Sequence, residues 1–296
     1  MAVLSFPHFL IKNMKRGLVL EGGAMRGLFS AGVMDVMLEH GVNFDGGVGV
    51  SAGAAFGANF ISRQVGRTIR YNKRFANDWR YCSLRSWITT GDLFGAEFAY
   101  HELPDRLDPF DRDAFERNEM VFYVVCTDVE TGQAVYKECR ETGYEMLEWV
   151  RASASMPLVS RIVELEGHKL LDGGVADSIP LAFMERQGYG RNVVITTQPA
   201  GFVKKPTPFM PLMRWSLRKY PQMIRALAER HIMYNKQLDY LSRQEKSGTA
   251  LVIRPDESLK IGHTCHDADE MQRVYDQGRK KGSEMIHQII DFLKEA

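Results

Sequence analysis

The sequence predicts an α/β fold built from parallel βαβ units, because strand-like apolar runs alternate with helical patterns through its first half. Its 296 residues, 45% hydrophobic and 25% charged, suffice for one large domain with a substantial core. Glycine-rich segments stand between strand and helix at two places. We expect a single domain over residues 1–296, with an α/β core at 16–197 and a mostly helical C-terminal extension at 198–296.

Apolar runs and glycine positions define the individual elements. Residues 27–40 carry apolar side chains at helical spacing, and Gly41 follows where a C-cap glycine belongs. A second helix is predicted from 52 to about 64, and a closing helix at 268–294 is weakened by Gly278 and Gly282. Residues 130–133 form a predicted turn. The predicted strands are 16–21, 46–50, 120–128, 134–137, 191–197 and 249–254.

Composition sets limits on partners and compartment. A formal net charge of +1 gives no reason to expect nucleic acid. The four cysteines form no CxxC pair, so free thiols in a reducing compartment are expected. The first residues place an apolar stretch before basic ones, unlike a secretory signal, and the uncharged run 46–62 is rich in Gly, Ala and Ser. We therefore expect a cytoplasmic protein without a transmembrane helix.

A G-x-S-x-G pentapeptide lies between a predicted strand and a predicted helix. A serine on such a sharp turn presents its hydroxyl above the sheet edge, near a helix N-terminus that favours developing negative charge. Gly49 and Gly53 leave room where strand and helix come close. Ser51 is the candidate nucleophile. The alternative is a serine that only caps the helix.

A glycine-rich loop after the first strand is the second candidate segment. Small residues there leave backbone N–H groups bare at the start of a helix, as an oxyanion hole requires. A phosphate-binding P-loop would need Gly-Lys-Ser/Thr, but Leu28 follows the last glycine, and a dinucleotide fingerprint would need glycine at Ala24. The loop is Gly22-Gly23-Ala24-Met25-Arg26-Gly27.

The third candidate segment is an acidic residue held in a glycine turn. Asp172-Gly173-Gly174 follows the apolar pair Leu170-Leu171, so the carboxylate would end a short strand and could point across a sheet edge. Asp-Gly-Gly alone is usually only a turn.

These three segments, in this order, resemble the patatin-like phospholipase family between about residues 16 and 197. The resemblance implies a three-layer α/β/α fold and a Ser–Asp dyad without a catalytic histidine, with Ser51 as nucleophile and Asp172 as acid. It also implies an oxyanion loop at 22–27 that contains Arg26. The block 152–157 (ASASMP) is similar to a recurring family segment.

The chain departs from the family pattern at several positions. Ala24 replaces a usual glycine, and Glu21 stands where Asp is commoner. Asp177 and Ser178 occupy the region where Asn often follows the acid. Arg26 either steadies the loop, which we favour, or meets a lipid phosphate.

The resemblance implies a serine acyl hydrolase of lipid esters that needs no cofactor or metal. Asp172 would take the Ser51 proton, and burial should raise its pKa. The alternatives are an α/β-hydrolase triad using His263 or His266, a transacylase, and an inactive lipid-binding or scaffolding protein.

Two further segments carry weaker signals of function. Residues 263–267 gather His, Cys and Asp side chains, but without companion ligands a polar loop is favoured over a metal site. Residues 202–230 interleave aromatic and basic side chains, which suits a lid or contact with an anionic membrane surface, or else a packed helix with a solvated face. The sequence leaves acyl and head-group specificity and oligomeric state open.

Overall fold

The computed structural model describes residues 14–294. The expectation that the first residues form no signal peptide concerns positions that lie mostly outside this range. Within it, no helix is both long and apolar enough to cross a bilayer. The four cysteines are free thiols, as predicted, and three of them are buried.

A mixed sheet forms the centre of the fold. Its strand order is β5-β6-β3-β2-β1-β7-β8, with β4 pairing separately with β3. The neighbours β3-β2-β1-β7-β8 run parallel, whereas β4 and β6 run antiparallel to β3 and β5 runs antiparallel to β6. The strands are β1 (Lys15–Leu20), β2 (Gly46–Val50), β3 (Val121–Asp128), β4 (Ala134–Cys139), β5 (Val163–Leu165), β6 (His168–Asp172), β7 (Tyr189–Ile195) and β8 (Ala250–Ile253).

The register on β3 brings two strand ends together. Val50, the last residue of β2, pairs with Val125. Asp172, the last residue of β6, pairs with the next residue, Cys126. Since β4 occupies the other edge of β3, β6 continues along the edge that β2 leaves. The chain segments that follow β2 and β6 therefore meet at one point above the sheet.

Within residues 14–294, ten α-helices surround the sheet. Short 3₁₀ turns at Ala24–Arg26 and Gly173–Val175 follow β1 and β6, and a π-helical segment spans Phe98–Leu107. The helices are α1 (Gly27–Glu39), α2 (Ala52–Ile61), α3 (Arg67–Arg74), α4 (Leu84–Thr90), α5 (Arg112–Arg117), α6 (Tyr144–Ser153), α7 (Leu181–Arg186), α8 (Met210–Ser216), α9 (Pro221–Ser247) and α10 (Ala268–Lys294).

Alternate residues of β1 belong to different cores, as the two-residue period of a strand requires. Leu18 and Leu20 join the core beneath α1, α2, α6 and α10. Val19 joins the core formed by β2, α7 and α9. The fold is therefore the three-layer α/β/α arrangement that the sequence resemblance implied, with a largely helical C-terminal region.

The glycines of α10 allow a close helix crossing. A Cβ added at Gly278 would lie 2.0 Å from the carbonyl oxygen of Phe29, and one added at Gly32 would lie 2.2 Å from that of Tyr275. Backbone of α1 thus touches backbone of α10. Glycine inside α10 lowers the intrinsic stability of the helix, but it allows a backbone contact that no larger residue could make.

Sequence and structure agree closely for the predicted elements and differ where no prediction was made. The predicted helix at 27–40 ends at Glu39, followed by Gly41 with φ 68°. The second helix ends three residues early, at Ile61. β8 adds to the central sheet beside β7, so the C-terminal extension shares the sheet of the α/β core. Helices α3 to α5, which lie between β2 and β3, were not anticipated.

Candidate active site

Ser51 lies on a strained turn between β2 and α2. Its backbone has φ 55° and ψ −122°, a conformation that L-residues rarely adopt. The turn is so tight that its neighbouring positions have no space for a side chain. A Cβ at Gly49 would lie 2.5 Å from Ala54 Cα, and one at Gly53 would lie 2.4 Å from the Leu20 carbonyl oxygen. This is the geometry of a nucleophile elbow.

The segment at 152–157 supports both halves of the site. The buried hydroxyl of Ser153 accepts a hydrogen bond from the Ser51 backbone N–H at 2.8 Å and donates one to the Val125 carbonyl at 2.6 Å. Two residues on, the Ser155 carbonyl accepts the Asp172 N–H at 2.8 Å. The sequence pointed to this block without assigning it a role, and the structure gives it one in positioning the elbow and the acid.

Asp172 is buried against the elbow. The Ser51 hydroxyl lies near enough to its carboxylate to interact with it as a donor, and the Gly174 N–H donates to Oδ1 at 2.8 Å. Burial raises the pKa of Asp172, opposed by the nearby positive charge of Arg230 and by these hydrogen bonds. A carboxylate of raised basicity in contact with a serine hydroxyl can accept that proton.

Side chains from distant elements hold the loop that follows Asp172. The Gly174 carbonyl accepts hydrogen bonds from Ser178 Oγ at 2.7 Å and from Arg230 Nε at 2.6 Å. Asp177 accepts the Tyr136 hydroxyl at 2.6 Å. The residues that replace the usual Asn therefore do support this loop.

The predicted oxyanion loop lies directly against the elbow. A Cβ at Gly22 would lie 2.9 Å from Ser51 Cβ, so only glycine fits there. Ala24 adopts φ 49°, a conformation that favours glycine but that alanine reaches at modest cost. The N–H groups of Gly22, Gly23 and Ala24 donate to no described residue. They are available to an anion beside Ser51.

A buried carboxylate fixes the start of this loop. Glu21 accepts the Thr197 N–H and the Tyr234 hydroxyl, both at 2.6 Å. The Thr197 hydroxyl in turn donates to the Gly22 carbonyl at 2.9 Å. Burial raises the pKa of Glu21 and these two donors oppose the rise. The acid that precedes the loop thus ties β1 to β7 and α9.

Arg26 and Gly27 end the loop and begin α1. Arg26 Nη1 bonds His263 Nε2 at 2.9 Å, while its buried Nε has no partner among the described residues. Gly27 lies against α2, where a Cβ would come within 2.9 Å of the Phe56 ring.

The histidines considered for a triad or a metal site have other partners. His263 contacts Arg26, and His266 Nδ1 bonds the Ala76 carbonyl. His168 pairs with Asp128. Across residues 14–294 none hydrogen-bonds Ser51 or Asp172, and no three His, Cys, Asp or Glu side chains gather at metal-binding distance.

An apolar cavity opens at Ser51. It begins at the oxyanion loop with Ala24 and Met25 and runs between α2 and the π-helical segment. Its lining is mostly aliphatic and aromatic, which suits a hydrocarbon chain. The walls include Ala55, Phe56, Tyr100, Leu103, Phe110, Leu147, Val150 and Met156.

Sequence reasoning missed several residues of the site. Ser153 carried a signal, because its block had been noticed. Lys204 and Arg230 stand out in the sequence only as basic residues of the 202–230 segment. Thr197 and Tyr234 carry no signal that links them to the site.

A serine on a strained elbow, an adjacent buried carboxylate and a loop of free amides on a three-layer α/β fold define a serine hydrolase type of site. The chain belongs to the patatin-like phospholipase family, whose model matches residues 18–184. It is a member of a family of lipid ester hydrolases. A domain of unknown function, DUF6363, matches residues 220–294.

The curated relatives of this chain are longer than it is and share about a quarter to a third of the aligned residues. The uncharacterized protein YjjU of Escherichia coli is 30% identical over 204 residues, which cover 67% of this chain and 56% of that protein. Lysophospholipase NTE1 of Coccidioides immitis is 27% identical over 293 residues, which cover 92% of this chain and 18% of that protein. The chain thus spans about half or less of the curated relatives it matches.

Among solved structures, VipD from Legionella pneumophila is similar with a TM-score of 0.42 and 13% identity. The match covers 92% of this chain and 67% of that one.

Proposed function

We propose that this protein is a serine acyl hydrolase, of lipase or phospholipase A type, that cleaves carboxylic esters of lipids through a Ser51–Asp172 dyad and an acyl-enzyme. The observation that carries the proposal is the contact of the strained Ser51 with the buried Asp172 at the mouth of an apolar cavity. Family membership supports the same chemistry.

The first half of the reaction forms the acyl-enzyme. Asp172 takes the hydroxyl proton as Ser51 Oγ attacks the ester carbonyl carbon, which gives a tetrahedral oxyanion. The free amides of Gly22, Gly23 and Ala24 would hold that charge, at about 3–4 kcal/mol for each well-placed donor. Asp172 then returns the proton to the leaving alcohol as the C–O bond breaks.

Water resolves the acyl-enzyme by the reverse sequence. Asp172 accepts a proton from the water that attacks the acyl carbon. It returns this proton to Ser51 Oγ as the bond between the acyl carbon and Oγ breaks and the fatty acid leaves. An alcohol in place of water would make the protein a transacylase, and the residues of the site do not choose between the two acceptors.

The other functions have less support. A Ser–Asp–His triad would need a histidine on Asp172, where the described donors are Ser51 and Gly174 instead. An inactive lipid-binding protein would not need the strained elbow, whose backbone conformation costs about 1–3 kcal/mol.

A covalent probe tests the assignment of the nucleophile. A fluorophosphonate should label Ser51, and Ser51→Ala should abolish both labelling and ester hydrolysis while the protein stays folded by circular dichroism. Ser153→Ala is a matched control: it disturbs the elbow but keeps the nucleophile, so labelling should slow without disappearing. Mass spectrometry that finds the probe on another serine would refute the proposal.

We further propose that the face around α8 contacts anionic membrane surfaces. Phe209, Leu212 and Trp215 are 60%, 50% and 68% exposed. The basic side chains Arg214 and Arg218 lie exposed among them. Apolar anchors beside cations suit a bilayer interface that carries negative charge.

Vesicle sedimentation of the Ser51→Ala protein tests this contact. Binding should be stronger to anionic than to neutral vesicles, should weaken in high salt, and should fall when Leu212 and Trp215 are replaced by serine. Trp79→Ser, which removes a tryptophan 40% exposed elsewhere, is the control. Equal and negligible binding to both vesicle types would show that this face is only solvated.

A further inference from the structure

Three cationic side chains from separate parts of the chain converge beside the dyad. Arg26 comes from the oxyanion loop, Lys204 from the connection between β7 and α8, and Arg230 from α9. We call them the cationic cluster. Their charges interact: Arg230 and Arg26 both lower the pKa of Lys204, and Arg230 lowers the pKa of Arg26.

The positions of two guanidinium nitrogens, one of Arg230 and one of Arg26, place these side chains near Asp172 and the oxyanion loop. A Cβ built at Gly174 would lie 3.1 Å from Asp172 Oδ1 and 3.2 Å from Arg230 Nη2, so the guanidinium and the carboxylate both border Gly174, and their charges interact. A Cβ built at Gly23 would lie 3.3 Å from Arg26 Nη2, so that guanidinium borders the oxyanion loop.

The cluster lacks matching negative charge. Lys204 Nζ lies 4.7 Å from the centre of the Tyr234 ring and has no ion-pair partner among residues 14–294. Within the same residues, Arg230 bonds only the Gly174 carbonyl, and Arg26 bonds a neutral histidine nitrogen. Burial and the neighbouring arginines lower the pKa of Lys204 to about 8.

The two nearby carboxylates already have donors. Glu21 is occupied by the Thr197 N–H and the Tyr234 hydroxyl, and Asp172 by Ser51 and Gly174. When both carboxylates are ionised, the three cations of the cluster face only two anions, and those anions already accept hydrogen bonds from other donors. Partly buried cations in this state are stabilised by an anion from outside the protein.

We propose that Lys204 and Arg230, with Arg26, bind the phosphate of a phosphoglyceride substrate and so select phosphate-bearing lipid esters over neutral glycerides. This inference rests on the proposed ester hydrolysis. The acyl chain enters the apolar cavity on one side of Ser51, and the glycerol phosphate extends on the other side, toward the cluster. A phosphate oxygen can accept from a guanidinium and an ammonium at once, which an uncharged head group cannot match.

The alternative role of these cations is to keep Asp172 ionised. Positive charge beside Asp172 does lower its pKa, with Arg230 the larger contributor. That effect acts equally on every ester, because the general base is the same for all substrates. A phosphate site acts only on substrates that carry the phosphate, so a comparison of matched substrates separates the two roles.

The experiment compares 1-acylglycerol 3-phosphate with 1-acylglycerol of the same acyl chain, both in neutral detergent micelles. For the wild type, kcat/KM should favour the phosphate-bearing ester. Lys204→Gln should lower the ratio of the two kcat/KM values at least about tenfold, as expected for a lost charge-assisted hydrogen bond, and Lys204→Arg should restore most of it. Lys205→Gln, at the exposed neighbouring lysine, is the matched control and should leave both rates unchanged.

Glycerol 3-phosphate and inorganic phosphate distinguish a lipid head-group site from a general phosphate site. Both are tested as inhibitors of hydrolysis of the neutral ester. Competitive inhibition by glycerol 3-phosphate that Lys204→Gln weakens supports the head-group site. Equal inhibition by inorganic phosphate would show that the phosphate alone is recognised, without its glycerol.

The pH dependence supplies an independent test. Above pH 8 the unliganded Lys204 loses its proton, so KM for the phosphate ester should rise there while KM for the neutral ester stays flat. Lys204→Arg should abolish the rise. The charged and titratable groups that face Lys204 are Glu21, Arg26, Asp172, Arg230, Tyr234 and His263.

Failure of the phosphate site and failure of the proposed ester hydrolysis give different results in these experiments. If both esters are hydrolysed with dependence on Ser51 but the ratio is the same in wild type and Lys204→Gln, the phosphate site is wrong and the hydrolase stands. If neither ester is hydrolysed and Ser51 is not labelled, the proposed function itself is wrong.

Discussion

Replacing Asp172 by asparagine should separate catalysis from stability. Asparagine has the shape of aspartate and still accepts the Gly174 N–H at Oδ1, but it cannot take the Ser51 proton. Loss of a general base typically costs about 10²- to 10⁴-fold in rate, so kcat on a soluble ester should fall at least about a hundredfold.

The same change should leave the protein at least as stable at neutral pH. Burial raises the folded-state pKa of Asp172 above its unfolded value, so ionisation of this group favours unfolding. That cost is absent in acid, grows as pH rises from the unfolded to the folded pKa, and persists above it. Asp172→Asn removes the cost, so its Tm relative to wild type should increase from acid to neutral pH.

Activity and unfolding are measured on the same samples. The wild-type kcat should fall as the pH is lowered through the raised pKa of Asp172, because the base must be ionised. Asp177→Asn is the matched control, since Asp177 is also buried in this loop but bonds Tyr136 and Gln237 rather than Ser51. Full activity in Asp172→Asn, or a histidine variant as inactive as Ser51→Ala, would refute the dyad.

Two further predictions concern packing and metals. Gly278→Ala should lower Tm by at least about 3 °C although alanine favours helices, because its Cβ would lie 2.0 Å from the Phe29 carbonyl oxygen. Gly262→Ala is the control: no atom lies within 4 Å of its Cβ, so it should change Tm little in a thermal melt. A stabilised Gly278→Ala protein would show that α1 and α10 are not in contact. EDTA should not change the rate on a soluble ester, because no metal-binding cluster occurs among the described residues; a loss restored by one added ion would contradict this.

The sequence allowed prediction of those parts of the site whose chemistry is local. The elbow at Ser51 and the oxyanion loop are each one strand, one glycine turn and one helix, so the residue types themselves indicate the geometry. The place of Asp172 followed only from the family resemblance. Its physical cause is the register on β3, where Val50 and Asp172 face consecutive residues, and no single segment carries that information.

Other parts depended on contacts that a sequence pattern does not show. The 27 residues of α9 were treated as part of a basic, aromatic connection and a loosely defined helical extension, so Arg230 and Tyr234 were not linked to the site. Helices α3 and α4 have only 8 and 7 residues, too short for a clear helical period. The sequence places Lys204 only in the basic, aromatic segment 202–230, whereas in the structure its charge interacts with Asp172.

The hydrogen bond between Glu21 and Tyr234 spans 213 residues of chain. During synthesis, the first strand and the glycine loop leave the ribosome long before the hydroxyl that secures them exists. The oxyanion loop therefore reaches its final form only after α9 has been made and has docked. Closing so long a loop is slow, and we expect the glycine loop of a newly made chain to become ordered in one late step, after α9 has docked.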